Sequence, residues 1–186
     1  MTERINLLVT GGCGFIGSNF INYIFNKNTY NIINIDNLYY CANIDNVEKH
    51  IQSSPYYTFI RGNICSRDLI HHVLINYNIN IIIHFAAQSH VDNSFENSIQ
   101  YTNDNIVGTH NLLECSRLYN NLTKFIHIST DEVYGESMND IDEMAKTEQS
   151  ILCPTNPYAA TKASAELIAQ SYFHSFNMPI IITRGN

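Results

Sequence analysis

Two adjacent carboxylates, Asp131 and Glu132, follow Ser129-Thr130 at the end of an apolar run. Neighbouring carboxyl groups resist ionising together, so burial can keep one protonated as an acid while the other stays a base. An acid and a base side by side are what the removal of water from a substrate needs. A solvated acidic turn uses the same two residues, and the doublet alone does not separate the readings. A second pair lies downstream: Tyr158 and Lys162 are four residues apart, on one face of a helix that begins just after Pro157. An ammonium near a phenol favours the phenolate and turns Tyr158 toward a general base. Taken alone, this pair also suits an ordinary helix surface with a snorkelling lysine.

The elements that must position these groups begin at the amino terminus. Gly11, Gly14 and Gly17 form Gly-x-x-Gly-x-x-Gly between the short apolar run Ile5 to Val9 and a helical pattern from Phe15 to Phe25. A glycine allows the tight turn, bare backbone can approach a pyrophosphate, and the helix start offers N–H groups and a positive dipole end. Asp36 ends the second apolar run about twenty residues on, where a carboxylate accepts from adenosine ribose hydroxyls and repels a 2′-phosphate. No arginine follows it immediately, so the expected cofactor is NAD rather than NADP. Its positive nicotinamide ring would join Lys162 in favouring the Tyr158 phenolate.

Further strands are expected near Ile32–Asp36, Thr58–Ile60, Ile79–Phe85, Lys124–Ser129 and Pro179–Thr183, and helices near Ser66–Tyr77, Ile99–Tyr119 and Tyr158–Phe176. Six strands alternating with helices imply a doubly wound, mostly parallel α/β sheet of Rossmann type, with apolar strands such as Ile81-Ile82-Ile83 covered on both faces. A polar connection runs from Glu136 to Thr155. The 186 residues, 45% of them hydrophobic, suit one domain. A net charge of −7 without a Lys/Arg cluster argues against nucleic acid or an anionic membrane as main partner. The cysteines, five and scattered, indicate neither a disulfide framework nor a zinc site and suit a reducing cytosol. Met1 leads straight into a polar start and a short strand, so a soluble cytoplasmic protein is expected. His84, His110 and His127 fall among apolar residues and the His71-His72 pair lacks zinc spacing, so no metal is expected.

These residues resemble the extended short-chain dehydrogenase/reductases, and within them the nucleotide-sugar 4,6-dehydratases acting on dTDP-glucose or UDP-glucose. The resemblance runs end to end, through residues 10–18, 36–43, 84–94, 129–135, 156–162 and 183–186. The Thr130-Asp131-Glu132 triplet discriminates, since related epimerases carry small residues after the Ser or Thr. The resemblance implies that Tyr158, aided by Thr130 and Lys162, deprotonates the C4 hydroxyl, that Glu132 removes the C5 proton, and that Asp131 protonates the departing C6 hydroxyl. The implied product is an NDP-4-keto-6-deoxyglucose, on the route to rhamnose or another deoxysugar. It also implies that Phe15, Ile16, Asn37, Asn63, Ile64, Phe85, Ala86 and Ala87 line the cofactor site, that Ser89 touches cofactor and substrate, and that Asn186 contacts substrate. A homodimer through the helices near Ile99–Tyr119 and Tyr158–Phe176 is implied too.

Three departures from the family pattern matter. Asn63 stands where relatives carry an aspartate that accepts from the adenine amino group, a role its amide oxygen can fill. Gln88 replaces a glutamate common in bacterial dTDP-glucose enzymes and, with Asp92-Asn93-Ser94-Phe95 and Arg184-Gly185-Asn186, tilts the expected substrate toward UDP-glucose. The chain stops at Asn186, where relatives continue into a smaller domain that grips nucleotide and sugar. The resemblance therefore implies a dinucleotide-binding domain over residues 1–186, truncated before that substrate domain.

Overall fold

A computed structural model describes residues 4–136 and 145–186, so part of the expected polar connection, residues 137–144, lies outside the described residues. The strands are β1 (Ile5–Thr10), β2 (Tyr30–Asp36), β3 (Tyr57–Arg61), β4 (Ile81–His84), β5 (Lys124–Thr130) and β6 (Ile180–Gly185). They form one sheet in the order β3-β2-β1-β4-β5-β6, with every neighbouring pair parallel. The expected doubly wound sheet is therefore present and wholly parallel among the described residues. Its strand order reverses between β1 and β4, where successive crossovers leave in opposite directions and a crevice opens beyond the carboxyl ends.

Alternate residues feed two cores. Leu7, Val9, Ile32 and Ile83 pack on one face with Ile21 of α1 (Phe15–Phe25) and Ile51 of α2 (Lys49–Gln52). Leu8, Ile33, Ile82 and Phe125 pack on the other with α3 (Arg67–Asn76), α6 (Gly108–Tyr119) and α7 (Pro157–Phe176). This double burial is why the strands read as continuous apolar runs. Asn120 and Asn177, at φ of +56° and +53°, terminate α6 and α7 in the left-handed region that Asn tolerates.

The helix expected over 99–119 is present, but its middle turn departs from regular α geometry. After α4 (Val91–Glu96) the chain forms α5 (Ser98–Tyr101), then a π-turn over Thr102–Val107, then α6. The wider turn carries the Gly108 N–H to the Asn103 carbonyl, five residues back. The extra residue puts both Asp104 and Asn105 on the buried side, at 8% and 1% exposure, a pattern that a regular 3.6-residue period does not describe.

His84 and His127 sit side by side in the interior, with ring centroids 5.3 Å apart. His84 is bonded through Nδ1 to the Thr10 hydroxyl at 2.7 Å and through Nε2 to the Thr109 hydroxyl at 2.9 Å, tying β1, β4 and α6 together. His127 has neither ring nitrogen bonded to protein. Burial first, and the Lys162 charge second, hold His84 down to about 3 and His127 well below its ordinary value. In the unfolded chain both rings protonate near 6.5. The unfolded state therefore binds more protons below that pH, and stability is complete above about 6.5 and is lost progressively as pH falls toward 3. Urea unfolding at pH 7 and at pH 5 should show this loss. His127→Leu should raise stability by about 1 kcal/mol at pH 7, by removing unpaired polar atoms, and should flatten the acid side of the profile. Equal acid sensitivity in the variant would contradict the assignment.

Candidate active site

A cavity of about 420 Å³ opens at the carboxyl ends of β1, β2 and β4. Every residue expected to hold the dinucleotide lines it: Gly11, Gly14, Phe15, Ile16, Gly17, Asp36, Asn37, Asn63, Ile64, Phe85, Ala86, Ala87, Ser89, Tyr158 and Lys162. Gly11 adopts φ +73°, and a Cβ there would lie 2.6 Å from the Ala86 backbone nitrogen, so the β1 and β4 loops approach only because that position is bare. Gly14 heads α1 without a side-chain cap, leaving the first-turn N–H groups directed into the cavity end. Phe15 and Ile16 are 81% and 61% exposed, an apolar wall for a flat ligand.

Asp36 is shaped by the loops it supports. Its Oδ2 accepts from the Cys13 N–H at 2.9 Å and its Oδ1 from the Leu38 N–H at 2.8 Å, which leaves one lone pair on each oxygen for hydroxyl donors. Burial, reinforced by the Asp36 charge, pushes the Cys13 thiol up to about 12. Asn34, buried two residues before the strand end, accepts from the Gly12 N–H at 3.1 Å and donates to the Tyr57 hydroxyl at 2.9 Å, bracing the glycine loop from below. The Asn63 Oδ1 takes the Cys65 N–H at 2.8 Å in a local turn and keeps a second lone pair toward the cavity. These features fit a dinucleotide: a bare loop, a helix start for phosphates, a carboxylate for ribose and an apolar slot.

Tyr158 and Lys162 both reach the cavity from the first two turns of α7 and are 8% and 5% exposed. One expectation is corrected here. The Lys162 ammonium donates to the Ile128 carbonyl of β5 at 2.6 Å rather than to the phenol. Burial raises the Tyr158 phenol above its usual value, the Glu132 and Asp131 charges add to this, and a hydrogen bond with Thr130 opposes it. The lowering of Tyr158 expected from a neighbouring Lys162 does not appear: the shift runs upward, and Lys162 is not among its causes. Lys162 is brought down to about 8 by burial, against the Glu166 charge.

The carboxylate pair lies just outside the cavity wall, on a short 3-10 turn, Asp131–Tyr134, that continues β5. Thr130 caps the turn by accepting the Glu132 N–H at 3.3 Å, and its hydroxyl lies 3.3 Å from Asp131 Oδ1. Gly135 leaves the turn at φ +83°, where a Cβ would meet the Cys153 carbonyl at 2.3 Å. The pair is half-buried, and both charges act on the Tyr158 phenol. Arg184 of β6 buttresses the turn from behind: it donates to the Tyr134 hydroxyl at 2.6 Å and holds the wholly buried Glu166 of α7 through contacts of 2.7 to 3.2 Å. Asn186 follows directly on the Thr130–Gly185 register pair and does not line the cavity.

Sequence reasoning missed three contributors. Asp104 lines the cavity from the π-turn, and its Oδ2 accepts from Gln88 Nε2 at 2.8 Å and Gln100 Nε2 at 2.9 Å. Asn105 bonds the Gln88 backbone in both directions and donates to the Thr161 hydroxyl of α7 at 2.9 Å. Asn156 caps α7 and contacts Glu132. Only Asn156 carried a signal, as a capping residue type directly before Pro157.

Residues 8–185 match the family model described as GDP-mannose 4,6 dehydratase. The chain belongs to that family. Among its relatives, the trifunctional UDP-glucose 4,6-dehydratase/UDP-4-keto-6-deoxy-D-glucose 3,5-epimerase/UDP-4-keto-L-rhamnose-reductase of Arabidopsis thaliana is 48% identical over 97% of this chain, which spans 27% of that protein. The crystal structure of dTDP-glucose 4,6-dehydratase from Bacillus anthracis in complex with NAD matches with a TM-score of 0.86 at 40% identity, covering 97% of this chain and 54% of that one. A UDP-glucose 4-epimerase from Thermotoga maritima, with UDP-glucose, matches with a TM-score of 0.84 at 28% identity, covering 97% of this chain and 55% of that one. Dehydratase and epimerase structures thus match this backbone about equally well.

The buried ammonium has a measurable consequence. Between about pH 8 and 10.5 the unfolded chain holds the Lys162 proton more firmly than the folded one does, so folding gains stability as pH rises through that window and carries the full penalty below it. Lys162→Met should raise stability at pH 7 by roughly 1–2 kcal/mol after allowance for the lost hydrogen bond. Thermal melts of the cofactor-free protein from pH 7 to 10.5 should show the advantage shrinking with rising pH; a destabilised variant at pH 7 would refute the account.

Proposed function

We propose that residues 1–186 are the NAD-binding, catalytic-residue-bearing domain of a nucleotide-sugar 4,6-dehydratase, a lyase that converts UDP-glucose, in preference to dTDP-glucose, into its 4-keto-6-deoxy derivative and water. The observation that carries this reading is the Thr130-Asp131-Glu132 turn held at the rim of a dinucleotide-shaped cleft, beside Tyr158. A bound NAD, held by the Gly11-to-Gly17 loop and Asp36, would supply a hydride acceptor for C4 of the sugar and a hydride donor for C6. Tyr158 removes the C4 hydroxyl proton, with Thr130 bonded to its oxygen and Lys162 fixing the neighbouring floor of the site. The resulting ketone acidifies the C5 proton, which Glu132 takes. Asp131 gives its proton to the departing C6 hydroxyl, so that water leaves and a C5=C6 double bond forms, and Glu132 returns its proton to C5 as a hydride reaches C6. Ser89 and Asn186 contribute to substrate binding, and the remainder of the substrate site belongs to a second domain.

The preference for UDP-glucose, and a route toward rhamnose, draw on Gln88 and the neighbouring motif and on the likeness to the Arabidopsis protein. A homodimer through α5–α6 and α7 suits the exposed Ile99, Val107, Leu167 and Phe173 on those elements. A cytoplasmic setting suits five free cysteines and the fact that no helix among the described residues is long and apolar enough to cross a membrane. An epimerase of the same fold is the second reading, favoured by the match to the Thermotoga maritima enzyme.

Mass spectrometry of UDP-glucose and dTDP-glucose after separate incubation with the longest natural polypeptide containing these residues tests the proposal. Loss of one water is expected from both, faster from UDP-glucose. Asp131→Asn should slow water loss by about 10²–10⁴-fold while sugar oxidation persists, whereas an epimerase should be nearly indifferent. Sugars of unchanged mass would sink the dehydratase reading.

A further inference from the structure

The Asn156 side chain makes two hydrogen bonds, and capping a helix needs only one of them. Its Oδ1 accepts from the Ala159 N–H at 2.8 Å, the third residue of α7, which satisfies a free donor of the first turn. Its Nδ2 donates to Glu132 Oε2, also at 2.8 Å. Together they fix the amide's orientation, because the flipped amide would set oxygen against carboxylate and NH₂ against N–H. The backbone favours this double role. Asn156 is extended, at φ −136° and ψ 163°, as the residue before Pro157 must be, and Pro157 itself offers no N–H to compete for the cap.

We propose that Asn156 is a positioning residue for the elimination step: it holds Glu132 Oε2, leaves Oε1 as the oxygen presented to the C5 proton, and fastens that base to the helix carrying Tyr158. This deepens the dehydratase reading and rests on it, since that reading makes Glu132 the base. Thr130, on the same turn, holds only the Glu132 backbone N–H, and a glutamate side chain has three torsions between that backbone and its oxygens. The bond from the Asn156 amide restricts those torsions. Two proton transfers in one site, at C4 and at C5, need two bases at a fixed separation. The shared amide supplies that by linking Glu132 to a helix whose second residue is Tyr158. A base displaced by about 1 Å loses on the order of a hundredfold in rate.

The test separates this role from capping. Asn156→Asp and Asn156→Ser both retain an N-cap oxygen and both lack the amide donor. In the longest natural polypeptide containing these residues, each variant should keep its melting temperature and its Ala159 amide protection in hydrogen exchange. Water loss should slow about a hundredfold in Asn156→Asp, and less in Asn156→Ser, where no new charge faces Glu132. Sugar oxidation should continue in both, so the absorbance of reduced cofactor should build up during a single turnover that the unaltered protein completes without such accumulation. Water loss at the unaltered rate in Asn156→Asp overturns the inference. So does a loss of melting temperature with oxidation and elimination falling in proportion, which marks Asn156 as a cap and nothing more. If the unaltered protein oxidises sugar without ever releasing water, the dehydratase reading fails and takes the inference with it; that failure appears in the unaltered protein, not in the comparison of variants.

Discussion

In a sheet whose six strands all run the same way, every carboxyl end lies along one edge, and no hairpin can return the chain along that edge. Each strand must therefore hand over to a loop there, and at the β1–β4 reversal two of those loops diverge. The cleft is the gap they leave. Gly11 approaches Ala86 so closely that one added methyl would force the β1 and β4 loops apart. Asp36 at the end of β2 and Ser129 at the end of β5 line the same cleft for the same reason of direction. Chemistry at this edge is a product of chain direction before it is a product of any side chain.

Two groups of residues with different kinds of support meet at that edge. Tyr158 and Lys162 belong to a twenty-residue helix packed on the sheet, and the Lys162 ammonium is anchored to a strand carbonyl. Burial and its charge keep His84 and His127 neutral, and the ammonium itself is held at the cost of its own desolvation. Asp131 and Glu132 sit on a four-residue turn held by side chains: Thr130 capping it, Asn156 on Glu132, and Arg184 on Tyr134. The Cys153 N–H adds a backbone bond to the Val133 carbonyl at 2.9 Å, joining the turn to the approach of α7.

The alternation of apolar strands with helices, the glycine spacing and Asp36 are legible in the sequence because each reflects a local rule: double burial, a bare loop, a carboxylate at a strand end. The span Phe15–Phe25 that periodicity predicts is the span observed for α1. The π-turn is not legible, since it breaks the period by which helices are recognised, and Asp104 and Asn105 are hidden with it. Asn34 looks like a polar interruption in an apolar strand, and its reason lies in the Gly12 N–H and the Tyr57 hydroxyl, 22 and 23 residues away in the chain. Spacing alone makes Lys162 the partner of Tyr158. Spacing gives the face of a helix but not the acceptor that a long side chain finds, and here that acceptor is a strand carbonyl.

The separate mounting of the acidic turn bears on how reaction type diverges within one architecture. Asp131 and Glu132 contribute nothing to the walls of the dinucleotide cleft, and the two protein cores lie elsewhere. A descendant that exchanged both for small neutral residues would keep its sheet, its glycine loop and its tyrosine. On the proposed reading, a change of reaction type then needs only a pair of codons on a removable bracket, and the scaffold that holds the dinucleotide cleft stays as it is.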